Sequence, residues 1–238
     1  MLQYIRPEQL LIFDIETVPA VKAYDELPEH FQKLFEDKVG RFRKEEEDKA
    51  THYFSKAGIY AEFGKIIVIS CGYIQKTNNE YELRIKTFYG HDEKKLLKEF
   101  TETLQNFSKN NFALCGHNIK EFDIPWLCRR LLINNMPLPP VLDIYGKKPW
   151  ETNFLDTLEL WKFGDFKHYT SLHLLATILN IPTPKDDIDG SMVGKIYWEN
   201  SDLDRIAKYC SKDVLTVAQI ILRMKDEPLL KAENISFQ

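Results

Sequence analysis

The run LLIFDIETVP, residues 10–19, is apolar on both faces of an extended chain: Leu10 and Ile12 point one way, and Leu11, Phe13 and Ile15 the other. A strand buried on both sides belongs in the middle of a sheet covered by helices. Strands are also predicted at GKIIVISCGYI (64–74) and YELRIKTFYG (81–90), joined through Thr77, Asn78 and Asn79 as an antiparallel hairpin. FALCGHN (112–118) reads as a second buried strand, and NFLDTLELW begins with another. Helical spacing appears in 92–107, with apolar residues at 96, 97, 100, 104 and 107 and Asp92 placed to cap. It recurs through WLCRRLLIN, where Pro125 must fall in the first turn, and in TSLHLLATILN (170–180). In DLDRIAKYCSKDVLTVAQIILRM, residues Leu203, Ile206, Ala207, Cys210, Val214, Val217 and Ile221 form one stripe. Residues 25–57 are helix-permissive and heavily charged, which predicts one or two helices between the first strand and the hairpin, with Lys44 to Asp48 as a solvated helix face.

This order predicts a mixed α/β fold with a partly antiparallel sheet. The 238 residues are expected to form a single domain, 1–238, carrying a helical insertion at about 20–60. Hydrophobic residues at 44% and charged residues at 29% exclude a disordered chain. No apolar run reaches membrane-spanning length, and the N-terminus lacks the pattern of a signal peptide, so a cytoplasmic location is expected. A net charge of −4 argues against coating nucleic acid by bulk electrostatics. It leaves room for a local basic rim, for which Lys147, Lys148, Lys162, Lys167 and His168 around Trp150 and Trp161 are candidates; surface solubilisation explains the same lysines. Cys71, Cys115, Cys128 and Cys210 have neither zinc-site nor disulfide spacing and read as reduced thiols packed like small hydrophobes.

Three places along the chain, each carrying acid, alter this picture. Asp14 and Glu16 continue one face of the central strand at its carboxyl end, where α/β sheets present ligand sites. Two carboxylates projecting together repel each other unless a cation lies between them, and hard oxygen donors suit Mg²⁺ or Mn²⁺. Asp123 follows the second buried strand at the opening of a helix, where the helix dipole alone also accounts for an acid. Tyr209 and Asp213 are four apart, neighbours on one flank of the last helical stripe, with Lys208 and Lys212 farther round. An ordinary boundary tyrosine is the plain alternative.

Together D-x-E (Asp14, Glu16), N-x-x-x-x-D (Asn118, Asp123) and Y-x-x-x-D (Tyr209, Asp213) resemble the three motifs of the DEDD superfamily of 3′-5′ exonucleases, tyrosine branch. The likeness points to the proofreading exonuclease domain of family B DNA polymerases and related stand-alone bacterial proteins, and FGKIIVIS and FLDTLEL also look like family segments. It spans nearly the whole chain and departs most at the insertion. The resemblance implies an RNase H-like (DnaQ-like exonuclease) fold, a mixed central sheet flanked by helices with the first strand central. It further implies that Asp14, Glu16, Asp123 and Asp213 hold two divalent cations, Mg²⁺ or Mn²⁺, and that Tyr209 orients the attacking water. Glu16 is then the proton acceptor or water orienter, since Tyr209 is a poor base at neutral pH. In the sister branch a histidine stands one residue before the tyrosine; here that residue is Lys208.

For substrate, the backbone at Thr17 and Val18 is expected near the terminal nucleotide, with Asn118 bonding its sugar or the phosphate backbone. Phe122 either stacks on a base or packs in the core. The expected activity is metal-dependent hydrolysis at the 3′ ends of single-stranded DNA, releasing nucleoside 5′-monophosphates. The alternatives are a 3′-5′ exoribonuclease and a non-catalytic nucleic-acid-binding module of the same fold. Proofreading would require a polymerase or repair partner, and no membrane is expected. Without metal, at least one clustered carboxyl is expected to have a raised pKa.

Overall fold

The computed structural model describes residues 4–107, 112–165, 169–182 and 188–238. Its sheet is built from β1 (Leu10–Pro19), β2 (Gly64–Thr77), β3 (Glu80–Tyr89), β4 (Ala113–Gly116), β5 (Phe154–Asp156) and β6 (Ile235–Phe237). The strand order is β5-β4-β1-β2-β3-β6. β1, β2 and β3 form an antiparallel meander, whereas β4 pairs parallel to β1, β5 to β4, and β6 to β3. An antiparallel meander whose first strand then takes parallel partners on its other side is the RNase H-like arrangement, and it puts β1 in the interior of the sheet. The hairpin turns through Asn78 and Asn79, with φ of 51° and 65°. Thr77 pairs with Glu80 across it, so the loop has two residues in the left-handed region, as tight hairpins require.

The two faces of β1 feed two cores. Leu11, Phe13 and Ile15 pack with Leu97, Phe100, Trp126 and Leu131 from α3 (Glu93–Phe107) and α4 (Asp123–Ile133). On the other side Leu10 and Ile12 meet Val214, Val217 and Ile221 of α8 (Leu203–Met224). The predicted stripe of α8 is therefore its buried face. Asp92 caps α3, its Oδ1 accepting from Lys95 N–H at 3.1 Å. Ser171 Oγ likewise caps α6 (Leu172–Ile178), which follows α5 (Thr157–Lys162).

The strand predicted over 112–118 stops at Gly116 because Asn118 takes φ of 62° and turns the chain toward α4. At Gly116 a Cβ would lie 2.8 Å from Phe13 O and clash with Ile119 Cγ2, so β4 approaches β1 this closely only through glycine.

Between β1 and β2 the chain forms α1 (Glu29–Val39) and α2 (Lys49–Lys56). These helices have their own core of Tyr24, Phe35, Val39, Tyr53 and Phe63. The charged run Lys44 to Asp48 is not a helix face as expected; it is the turn linking those helices. Its acids are used locally: Glu47 binds the buried His52 Nδ1 at 2.8 Å, and Asp48 accepts from Thr51 N–H at 2.8 Å to cap α2. α7 (Val193–Lys195) and the π-helical turn Ile196–Asn200 complete the α8 side of the sheet. Among the described residues no helix is long and apolar enough to cross a membrane.

Candidate active site

β1 delivers Asp14 and Glu16 to the same side as α8, as alternation requires. Its pairing with β2 slips between Glu16 and Thr17: Glu16 faces Val68, Thr17 faces Ile66, and Ile67 is left over. Such a bulge re-aims side chains at the strand end that carries the acid. Asp123, the first residue of α4, reaches back to β1, where its Oδ1 accepts from Ile15 N–H at 3.1 Å. That bond sets the third carboxyl beside the backbone between the first two acids. From α8, one turn apart, come Tyr209 and Asp213, and the Tyr209 hydroxyl hydrogen-bonds Asp213. A cleft of about 640 Å³ opens here, lined by Asp14, Tyr209 and Asp213 together with His117, Tyr169 and Met192.

The electrostatics follow from putting these acids in one desolvated place. Burial pushes the Asp14 pKa well above the usual carboxylate range, and Asp123, Asp213 and Glu16 push it further. Glu16 is raised for the same reasons, first burial and then Asp213 and Asp123. Asp123 is raised to about 7, chiefly by burial, although its N–H bonds pull the other way. Tyr209 is raised by burial, Asp213, Glu16 and Asp14, so its phenol stays protonated and donates.

Cys210 belongs to this site, which corrects its reading as a plain hydrophobic filler. Its thiol donates to Asp14 Oδ2 at 3.3 Å, and burial keeps it protonated. The ligand atoms of Asp14, Glu16 and Cys210 all lie within 4.8 Å of one another.

Two supporting residues escaped the sequence analysis. Asp156, at the end of β5, is 3% exposed; its Oδ1 accepts from Asn118 and Leu158 N–H at 2.8 and 2.9 Å, and its Oδ2 from Lys120 N–H at 3.2 Å. It thereby fixes the loop that leads into Asp123. His117 bonds Thr157 Oγ1 at 2.9 Å and donates from Nε2 to Thr170 O at 2.8 Å, and burial lowers its pKa. The FLDTLEL segment was the only sequence signal for Asp156; of its three backbone partners, Leu158 is local and Asn118 and Lys120 lie 38 and 36 positions away.

The candidate substrate contacts are placed as follows. Thr17 Oγ1 donates to Gly58 O at 2.6 Å, and the Val18 side chain is wholly in the core, so these residues have backbone alone to offer. The Asn118 Oδ1 is buried with no partner. Phe122 is half-buried against the α4 core, its ring 5.9 Å from that of Trp126. Trp150 and Lys147 are exposed, whereas Trp161 is partly buried beside Leu175 and Ile220. Lys167 and His168 lie outside the described residues.

Asp14, Glu16, Asp123 and Asp213 fit divalent cations by their donor chemistry. They supply hard oxygen ligands, and the charged neighbours of Glu16 are themselves acids, a donor set that suits a divalent cation as counter-charge.

Residues 59–228 match the family described as "Predicted 3'-5' exonuclease related to the exonuclease domain of PolB". That span holds Asp123, Tyr209 and Asp213 and begins after Asp14 and Glu16. No curated protein matches the chain. Among solved structures, the family B DNA polymerase of the hyperthermophilic archaeon Pyrobaculum calidifontis is similar at 16% identity and a TM-score of 0.48, over 91% of this chain and 25% of the polymerase. The chain thus spans a quarter of that polymerase's length. The RNase domain of the yeast Pop2 protein is similar at 13% identity and a TM-score of 0.40, over 94% of this chain and 80% of that domain.

Proposed function

The chain belongs to the family of predicted 3′-5′ exonucleases related to the exonuclease domain of PolB, and on that premise we propose that it removes nucleotides from the 3′ end of single-stranded DNA. The observation that carries this reading is the convergence of four carboxyls from β1, α4 and α8 beside one protonated phenol. Asp14, Glu16, Asp123 and Asp213 would hold two divalent ions, Mg²⁺ or Mn²⁺, which supply charge stabilisation for an in-line displacement at phosphorus.

The protein's own groups divide the remaining work. The Tyr209 hydroxyl, held on Asp213, positions the attacking water by hydrogen bonding and takes no proton from it. Glu16 supplies the carboxylate that accepts the water's proton, which the protonated phenol cannot do. Cys210 steadies the Asp14 carboxyl from the side facing α8. The products are a nucleoside 5′-monophosphate and a strand one residue shorter, again ending in a 3′-hydroxyl.

The test uses single-stranded DNA labelled at its 5′ end. A ladder of shorter labelled products with Mg²⁺ or Mn²⁺, abolished by chelator, is expected. Immediate release of the 5′-terminal labelled nucleotide means the opposite polarity and overturns the proposal, as does a strand that is bound and left intact. RNA of matching sequence run in parallel reads the sugar preference.

A further inference from the structure

The insertion between β1 and β2 contributes no acid, yet its last turn, Ala57–Ile59, is bonded to both elements that carry the first three. Gly58 O accepts from Thr17 Oγ1 at 2.6 Å, and Thr17 follows Glu16 on β1. Ile59 O accepts from Trp126 Nε1 at 2.9 Å, and Trp126 stands one turn after Asp123 on α4. Two successive carbonyls thus take side-chain donors from two different walls of the site. The turn itself is rooted in the insertion's own core, where Ala57 packs with Tyr53 and Phe35. It is a strap tied at both ends, across the strand that brings Asp14 and Glu16 and the helix that brings Asp123.

Electrostatics says why a strap is needed there. Besides being buried, Glu16 is pressed by Asp213 and Asp123, and it presses on Asp14. Such repulsion is relieved when one acid swings away. β1 yields most readily at the step from Glu16 to Thr17, because the bulge interrupts its ladder with β2 at that point. The Thr17 bond supplies a fixed point at the same step. Threonine is stiff at χ1, so a hydroxyl held on Gly58 also holds the backbone behind it. Donation from this hydroxyl to a substrate phosphate is already forestalled: threonine has one O–H proton, and Gly58 O accepts it. We propose that Thr17 is a positioning residue, whose hydroxyl, anchored on the insertion at Gly58, holds the strand end that aims Glu16 at the cations. This rests on the exonuclease reading above for the use of those cations. It gives the insertion a function, that of bracing the acid-bearing strand against the mutual repulsion of its carboxylates.

The experiment measures Mn²⁺ affinity, from the electron paramagnetic resonance signal of the free ion, and cleavage of a 5′-labelled single strand by the same proteins. Thr17→Val keeps the side-chain shape and removes the hydroxyl. It should lower Mn²⁺ affinity about fivefold, the worth of one hydrogen bond, and kcat about tenfold, with KM within a factor of about two. Thr17→Ser restores the hydroxyl and should bring both back to within about threefold of wild type. Thr17→Ala repeats the comparison without a methyl group against Gly58 O, and melts in chelator show that each variant is folded. The decisive arm is a double-mutant cycle with Glu16→Gln, read at correspondingly higher Mn²⁺. A group that acts through Glu16 has nothing left to act on in that background, so Thr17→Val should there change Mn²⁺ affinity by less than about twofold. An equal loss in both backgrounds, or Mn²⁺ affinity that ignores Thr17 throughout, overturns the proposal. A raised KM with unchanged Mn²⁺ affinity overturns it too, by making the hydroxyl a substrate contact.

The two proposals fail separately. Cleavage by wild type with Mn²⁺ binding indifferent to Thr17 removes the brace alone. Thr17-dependent Mn²⁺ binding without cleavage removes the exonuclease alone. Neither signal removes both.

Discussion

Glu16 and Glu93 are each 8% exposed, and both lie against the central sheet. Glu93, the first residue of α3, is met by donors on every side: Ile66 N–H at 2.7 Å, Arg130 Nε and Nη2 at 2.8 and 2.6 Å, and Asn134 Nδ2 at 2.9 Å. Arg130 in turn donates from Nη1 to Ala61 O at 2.8 Å. Glu16 has Asp213 and Asp123 as its charged neighbours, and its pKa is driven up. Burial is the same at the two positions; the sign of the surrounding charge is opposite. One carboxylate ties α3, α4 and β2 together, and the other is set among charges of its own sign.

The sharpest way to break this contrast is to neutralise one acid in each region. Asp14→Asn should lower metal-dependent hydrolysis by about a thousandfold or more, equal to about 4 kcal/mol of barrier. Its melting temperature without metal should hold or rise, because a repelling charge has gone. A variant that keeps its cleavage rate removes Asp14 from the mechanism. Glu93→Ala should do the reverse. Leaving Arg130 buried and unpaired should cost about 3–5 kcal/mol of stability in denaturant titration, while the folded fraction cleaves at the wild-type rate. If both variants lose activity without losing stability, the distinction drawn from their neighbours is wrong.

Tyr209→Phe refines the contrast within the acidic region. Hydrolysis should slow by about 10- to 100-fold with Mn²⁺ affinity unchanged in calorimetry, because the phenol acts on water. Loss of Mn²⁺ binding instead would make it part of the cation site.

The smallest effect is on stability against pH. The Asp123 pKa is raised on folding from 3.8 to about 7, so between these values the folded state holds a proton that the unfolded state has released. Stability of the metal-free protein therefore falls as pH rises through that window, and the cost persists above it. Thermal melts at pH 5 and 8 in chelator should differ by several degrees in that direction, and Mn²⁺ should remove most of the difference. Greater stability at pH 8 than at pH 5 in chelator would contradict the clustering.

The sequence exposed the parts of this molecule that follow from periodicity. Two apolar faces placed β1 inside the sheet, Asn78 and Asn79 marked the hairpin, and one stripe identified the buried face of α8, from which the positions of Tyr209 and Asp213 follow. What stayed hidden depends on pairing across distance. Ile235–Phe237 is too short to announce itself and becomes a strand only by lying parallel to β3. The role of Asp156 consists of bonds to Asn118 and Lys120 backbone, which leave no pattern around residue 156. Cys210 sits within the hydrophobic stripe, and its contact with Asp14 spans 196 positions. Lys44 to Asp48 misled because a charge run is equally compatible with a turn; the need of His52 for Glu47 decides between them, and that is a tertiary contact.

The acids arrive in the order of synthesis: two on β1, one on α4, and the last on α8, 199 positions after Asp14. A chain still being translated, or stalled short of Tyr209, presents an incomplete acid set with nothing from α8 to close it. An activity that consumes nucleic acid would thus be withheld from every nascent fragment, and the cell would meet it first in the folded product.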